Sequence, residues 1–145
     1  MQQLTFNITI DAPREKVWNV LWGKDSYPEW TRAFSETSGV ETDWKKGSKV
    51  RFVDANNEGM VSRISDAVPN EYMEITHEGV IKNGQEDFST AEAEGWAGAK
   101  EIYTLKDDNG KTELLIHTDI TDEYADMFKG MWPKALDEVK RLSEN

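Results

Sequence analysis

The chain has 145 residues, 17 of them basic and 28 acidic, for a formal net charge of -11. That length suits one domain, residues 1–145, with a substantial core, and that charge opposes nucleic acid and anionic lipid, with no basic patch to offset it. No cysteine is present, so disulfides, thiolate metal sites and cysteine nucleophiles are excluded.

The N-terminus, Met1 to Phe6, lacks the basic start and apolar run of a signal peptide. No stretch approaches the roughly 20 apolar residues that cross a bilayer, so a cytoplasmic location is expected. Leu4, Phe6, Ile8 and Ile10 alternate with polar residues, which predicts a half-buried strand. A helix follows, with Asp11 or Ala12 as its cap and Pro13 in its first turn. Val17, Trp18 and Leu21 form its apolar face, and Gly23 ends it. A second short helix is predicted over Ser26 to Ala33, with Trp30 and Phe34 on one side.

Strands are then predicted over Thr37 to Val40, Lys49 to Val53, Glu58 to Val68 and Glu71 to Ile81. Asp54-Ala55-Asn56-Asn57 forms a hairpin between the second and third of these. Lys82 to Gly95 is acidic and aperiodic and reads as a loop with a turn of helix near Thr90 to Glu94. Two further strands, Ala97 to Leu105 and Thr112 to Ile120, flank Asp107-Asp108-Asn109-Gly110, whose Asn-Gly pair accepts positive φ. From Asp122 to Leu142 the large apolar residues recur at steps of three and four, which predicts a long amphipathic helix. Gly130 and Pro133 predict a kink in it, or a short helix running into a longer one. Residues before that point (Tyr124, Met127, Phe128, Met131, Trp132) form a broad, soft face, and Leu136, Val139 and Leu142 form a narrower one.

Hairpin-linked neighbours make an antiparallel sheet. The predicted fold class is α+β: a curved sheet of about six or seven strands wrapped on the C-terminal helix, with two short helices after the first strand. Four segments carry a resemblance over nearly the whole chain: Ile10-Asp11-Ala12-Pro13-Arg14-Glu15-Lys16-Val17-Trp18, Tyr27-Pro28-Glu29-Trp30-Thr31, Trp44-Lys45-Lys46-Gly47-Ser48 and Gly130-Met131-Trp132-Pro133-Lys134-Ala135-Leu136. They resemble the helix-grip (SRPBCC, START-like) superfamily of START domains, birch-pollen-allergen-like proteins and polyketide cyclases. The chain is most similar to the branch of the activator of Hsp-ninety ATPase homologue, the AHSA-like proteins. The resemblance implies an elongated cavity between sheet and helix. It implies function less well, because members bind lipids or polyketides, catalyse, or act on chaperones.

No motif calls for a cofactor, and no cluster of three or four ligands calls for a metal. No serine nucleophile motif or phosphate loop is present. The richest signal is aromatic: six Trp, five Phe and four Tyr. Trp30, Trp44, Trp96 and Trp132 fall at element ends, where indoles often line a pocket mouth; ordinary packing is the competing explanation. Met60, Met73, Met127 and Met131 add adaptable surface. His77 is in phase with Met73 and Ile75 and points with them toward a cavity or a satisfied core position. The expected cavity set is thus Trp30, Phe34, Trp44, Phe52, Met60, Met73, Ile75, His77, Trp96, Tyr103, Tyr124, Met127, Phe128, Met131 and Trp132. The expected partner is a small hydrophobic or aromatic ligand, with Lys82 to Gly95 as a lid, neither nucleic acid nor membrane, and an oligomeric state left open. The alternative is a cyclase or hydrolase using His77, Tyr103, Arg63 or Glu101. A chaperone-activating role is a third, suggested by the family alone. Arg51 and Arg63 otherwise make cross-strand ion pairs on the outer face.

Overall fold

A computed structural model describes residues 1–145. The elements are β1 (Gln2–Ile10), α1 (Arg14–Trp22), α2 (Ser26–Trp30) running into a 3-10 turn at Thr31–Ala33, β2 (Gly39–Glu41), β3 (Lys49–Val53), β4 (Gly59–Val68), β5 (Tyr72–Lys82), β6 (Gln85–Asp87), α3 (Ala91–Trp96), β7 (Lys100–Asp108), β8 (Lys111–Ile120) and α4 (Asp122–Glu144). The strands form one antiparallel sheet in the order β1-β8-β7-β5-β4-β3-β2, with β6 paired to β5. The fold is the helix grip: α4 lies along the concave face of the sheet, and α1 and α2 close the remaining side.

Period-two alternation sets the concave face. Met73 and Ile75 on β5, Tyr103 and Leu105 on β7, and Leu114 and Ile116 on β8 are all buried and share one core with Trp132, Ala135, Leu136 and Val139 of α4. The hairpins close where Asn and Gly accept left-handed backbone: Asn83 and Gly84 (φ 51° and 77°) and Asn109 and Gly110 (φ 55° and 89°). The far end of α4 is tied to the first strand and helix. The Asp11 N–H donates to the Glu144 carboxylate at 2.8 Å, and Lys140 Nζ donates to the Thr9 carbonyl at 3.1 Å.

Three details differ from the sequence expectation. Pro13 is itself the cap of α1, so that helix starts one residue late and has no side-chain cap. The segment 82–95 is ordered into β6 and α3. Thr90 Oγ1 accepts from the Ala93 N–H at 3.2 Å as the cap of α3, and Ala93 is fully buried. A three-residue polar strand has too little pattern to be seen in advance. Finally, α4 is one helix of 23 residues with Pro133 inside it, rather than two helices. Pro133 is exposed, so the carbonyl that loses its partner lies on the wet side of the helix, where water can satisfy it.

Candidate functional site

Between the sheet, α2 and the first half of α4 lies a partly open cavity of about 200 Å³. Its origin is local. β7 begins only at Lys100, whereas β5 and β8 run on past it. In the Trp96–Ala99 segment the backbone parts from β8, whose ladder with β7 stops at Glu101 and Thr118, and stays bonded to β5: the His77 N–H donates to the Ala99 carbonyl at 2.8 Å, and the Gly98 N–H donates to the His77 carbonyl at 2.9 Å. The sheet therefore lacks a rung between β5 and β8, and Trp96 stands over the opening.

Of the residues expected from the sequence, Trp30, Phe34, Phe52, Met60, His77, Trp96, Tyr103, Phe128 and Trp132 line this cavity. Trp132 is its hinge point. Its indole contacts Phe34 (centroids 4.9 Å apart), Phe6 (5.9 Å), Tyr103 (6.1 Å) and Trp30 (6.4 Å), so sheet, α2 and α4 meet on one side chain. Trp30 is fixed in turn by its Nε1, which donates to the Leu21 carbonyl at 3.0 Å.

Trp44, Met73, Ile75, Tyr124, Met127 and Met131 do not line it. Met73 and Ile75 sit deeper on β5, sealed in the core. Trp44 stacks on Trp22 (4.5 Å) and Tyr27 (5.6 Å) behind the wall, with φ at 61°, a conformation rare for so large a residue. Tyr124 faces a separate, more polar pocket beside Lys82 and Glu92. Met127 is 48% exposed, and Met131 is half-buried. The helix turns these residues away because Phe128 and Trp132, four apart, already occupy the facing stripe. Of the polar candidates, Arg63 is outside: it pairs with Glu78 at 3.3 Å and donates to the Gly47 carbonyl at 3.0 Å. Arg51 likewise pairs with Glu41 and Glu86.

The lining residues absent from the expected set are Tyr27, Thr31, Ser38, Glu101, Thr118, Asp119 and Ile120. Glu101 is the consequential one. It precedes Tyr103 and Leu105 by two and four residues, and that spacing already placed it on the concave face.

The polar end of the cavity is a short network. Ser62 Oγ and His77 Nδ1 are 2.6 Å apart and buried. A register shift between Val61 and Ser62 leaves Glu78 without a cross-strand partner and sets Ser62 opposite His77. His77 Nε2 lies 4.0 Å from Glu101 Oε2, and the Tyr103 hydroxyl donates to Glu101 Oε1 at 2.6 Å. Burial pushes the His77 imidazole down to about 4, against a smaller opposing pull from Asp119, so the ring is neutral at pH 7. Burial also raises the Glu101 carboxyl, and the Tyr103 hydrogen bond offsets only part of this. Both phenols, Tyr27 and Tyr103, are raised well above the ordinary value, first by burial and then by the Glu101 charge. The site thus holds a neutral imidazole, a carboxyl that resists ionisation and two un-ionised phenols. No three His, Asp or Glu side chains converge to hold a metal ion.

Fold and cavity together define a helix-grip domain with an aromatic pocket. The chain belongs to the Activator of Hsp90 ATPase homolog 1-like protein family, whose model matches residues 11–144. Solved structures agree on the fold. The Aha1 dimer from Colwellia psychrerythraea superposes with a TM-score of 0.72 at 20% identity, covering 99% of this chain and 97% of that one. CalU16 from Micromonospora echinospora gives 0.67 at 16% identity, covering 99% and 76%. DynU16, a putative protein in the dynemicin biosynthetic locus, gives 0.70 at 12% identity; 97% of this chain matches 46% of it. At these identities the likeness is one of fold. No curated protein matches the sequence. No helix is long and apolar enough to cross a membrane.

Proposed function

We propose that this chain binds a small, largely apolar molecule of one or two rings in the cavity between sheet and α4. The observation that carries this reading is the cavity itself: about 200 Å³, partly open, with ten of its 16 lining residues hydrophobic. A 150 Å³ apolar cavity accommodates benzene, so a single ring with a substituent, or two fused rings, fits this space. The walls are held by their own packing, so binding costs little ordering. A ligand of about ten non-hydrogen atoms, at roughly 0.5–0.8 kcal/mol each, then binds in the micromolar to sub-millimolar range.

Naphthalene and indole are suitable probes. Saturating either one is expected to raise the Tm and to perturb tryptophan emission, since Trp30, Trp96 and Trp132 all line the space. Ser38→Phe, which puts a ring at the wall, is expected to abolish both effects. A wild-type protein whose Tm and emission ignore both probes, and which carries no molecule through native mass spectrometry, refutes the reading.

One observation favours a second reading, acid–base catalysis in the same space. His77 and Glu101 face each other at 4.0 Å across its polar end, with Tyr103 holding the carboxyl. The arrangement suits proton transfer to and from a bound carbonyl compound. Turnover lost in both Glu101→Gln and His77→Gln, with binding retained, is the expected signature.

A further inference from the structure

We propose that the preferred occupant of this cavity is a cation, a protonated or quaternary amine on a small hydrocarbon frame, with its charge held between Glu101 and the aromatic walls. The proposal rests on the binding reading above and names the chemistry of its ligand.

The first support is a charge inventory. Glu101 and Asp119 line the cavity, and no lysine or arginine does. The cations of the neighbouring strands are turned outward and engaged there: Arg51 by Glu86, Arg63 by Glu78 and Lys100 by Glu74. Asp119 is partly occupied, because its Oδ2 accepts from the Lys100 N–H at 2.9 Å. Glu101 has one hydrogen-bond donor, the Tyr103 hydroxyl, and its only basic neighbour within 4.0 Å is an imidazole that is neutral at pH 7. The Glu101 side chain keeps 19% of its surface exposed, and a largely desolvated carboxylate without a counter-ion is unfavourable. The free protein meets that cost by favouring the proton on Glu101. A bound cation takes the place of that proton, which leaves to solvent.

The second support is the shape and nature of the walls. Tyr27, Trp30, Tyr103 and Trp132 form one cluster, with neighbouring centroids 5.4 to 6.4 Å apart, and all four line the cavity that Glu101 enters. Aromatic faces around a desolvated position attract alkylammonium groups. An anionic ligand meets Glu101 and Asp119 with no compensating charge. A neutral hydrocarbon fills the space and leaves Glu101 desolvated without a counter-charge. The net charge of -11 draws cations toward the protein from solution.

Proton release makes the affinity pH-dependent. The titratable groups facing Glu101 are His77 from β5, Tyr103 from its own strand, Tyr27 from α2 and Asp119 from β8, while α3 and α4 present only Trp96, Phe128 and Trp132. Burial raises the Glu101 carboxyl, so it is the lining group whose ionisation a bound cation favours most directly.

The test compares phenyltrimethylammonium with its neutral isostere tert-butylbenzene, by calorimetry or tryptophan emission on the full chain at pH 7.5. The cation is expected to bind at least about tenfold tighter. Its affinity is expected to rise with pH as Glu101 ionises, over a titration started well into the acid range, while that of tert-butylbenzene stays flat. In Glu101→Gln the preference for the cation over tert-butylbenzene is expected to fall to within about threefold. Should Glu101→Gln fail to fold, the wild-type pH comparison decides alone: a cation affinity flat with pH overturns the proposal. Equal or tighter binding of tert-butylbenzene overturns the cation proposal and leaves the binding reading standing. A cation preference that survives intact in folded Glu101→Gln also overturns it. Binding of neither probe overturns both.

Discussion

Protonating His77 should destabilise the protein strongly, and the size follows from its surroundings. The imidazole is 7% exposed, hydrogen-bonded to Ser62 and walled by Phe52 and Trp96 at 6.2 and 6.1 Å. Burial lowers it from 6.5 to about 4. Unfolded chains take up the proton as pH falls through 6.5, and the folded protein does so only near 4. The unfolded state therefore binds more protons in that window, and stability falls with falling pH. At 1.36 kcal/mol per pH unit the full loss is about 3 kcal/mol, a large part of the roughly 5–15 kcal/mol that holds a domain together. Urea titrations of wild type and His77→Gln at pH 7.5, 6.0 and 4.5 measure it. Glutamine can still hydrogen-bond with Ser62 but does not titrate. The stability difference between the two proteins should shift in favour of the variant by about 2–3 kcal/mol as pH drops from 7.5 to 4.5. A difference that stays constant to within about 0.5 kcal/mol refutes the claim that burial keeps this ring neutral.

Glu101 has the opposite sign. Its folded value is raised, so its contribution is full at low pH and is lost as pH rises. Glu101→Gln should match wild type near pH 4 and exceed it in urea midpoint by pH 8; a variant less stable at pH 8 than at pH 4, relative to wild type, contradicts this. Trp132→Ala removes a 3%-exposed indole that joins sheet, α2 and α4, and should cost about 3–5 kcal/mol in denaturant titration. Pro133→Ala restores a backbone donor inside α4 and should raise stability by about 1–3 kcal/mol; a lower Tm would show that the proline fits this helix better than the regular bond. Arg51→Ala breaks pairs with Glu41 and Glu86 on the outer face and should cost less than about 1 kcal/mol.

The periodic parts of the fold were legible in the sequence. Leu4, Phe6, Ile8 and Ile10 alternate as a strand and form one, and the Asn109-Gly110 turn falls where its φ preference places it. Period and turn chemistry are local, so a single sequence carries them. Within segment 82–95 the turn of helix near Thr90 to Glu94 was legible and forms as α3; β6 was not, because its three residues are a strand only through pairing with Val80, Ile81 and Lys82. Of the two outcomes that Gly130 and Pro133 signalled, a kink or two helices, the second is not what forms: α4 runs through Pro133 as one helix. The site was half legible. His77, Tyr103 and Glu101 were all legible as candidates for acid–base chemistry, but Glu101 was not among the expected binding residues, because one acid among 28 carries little weight until its surroundings are known. What no local pattern contained was the early end of the β7 ladder at Lys100, and that gap makes the cavity.

The pairing of β1 with β8 also constrains time. Residues 2–10 find their partners only in residues 112–120, and the Asp11 N–H waits for Glu144. During synthesis β1 therefore has no sheet to join until β8, more than a hundred residues later, has followed. Closing a loop of that length is entropically costly and comes before any reward from the contacts it makes. The sheet should complete late, in milliseconds to seconds rather than microseconds, with the apolar edge of β1 exposed in the interval. The polar Gln2, Gln3, Thr5, Asn7 and Thr9 that alternate along it are then guards against mispairing during synthesis as much as they are surface afterwards.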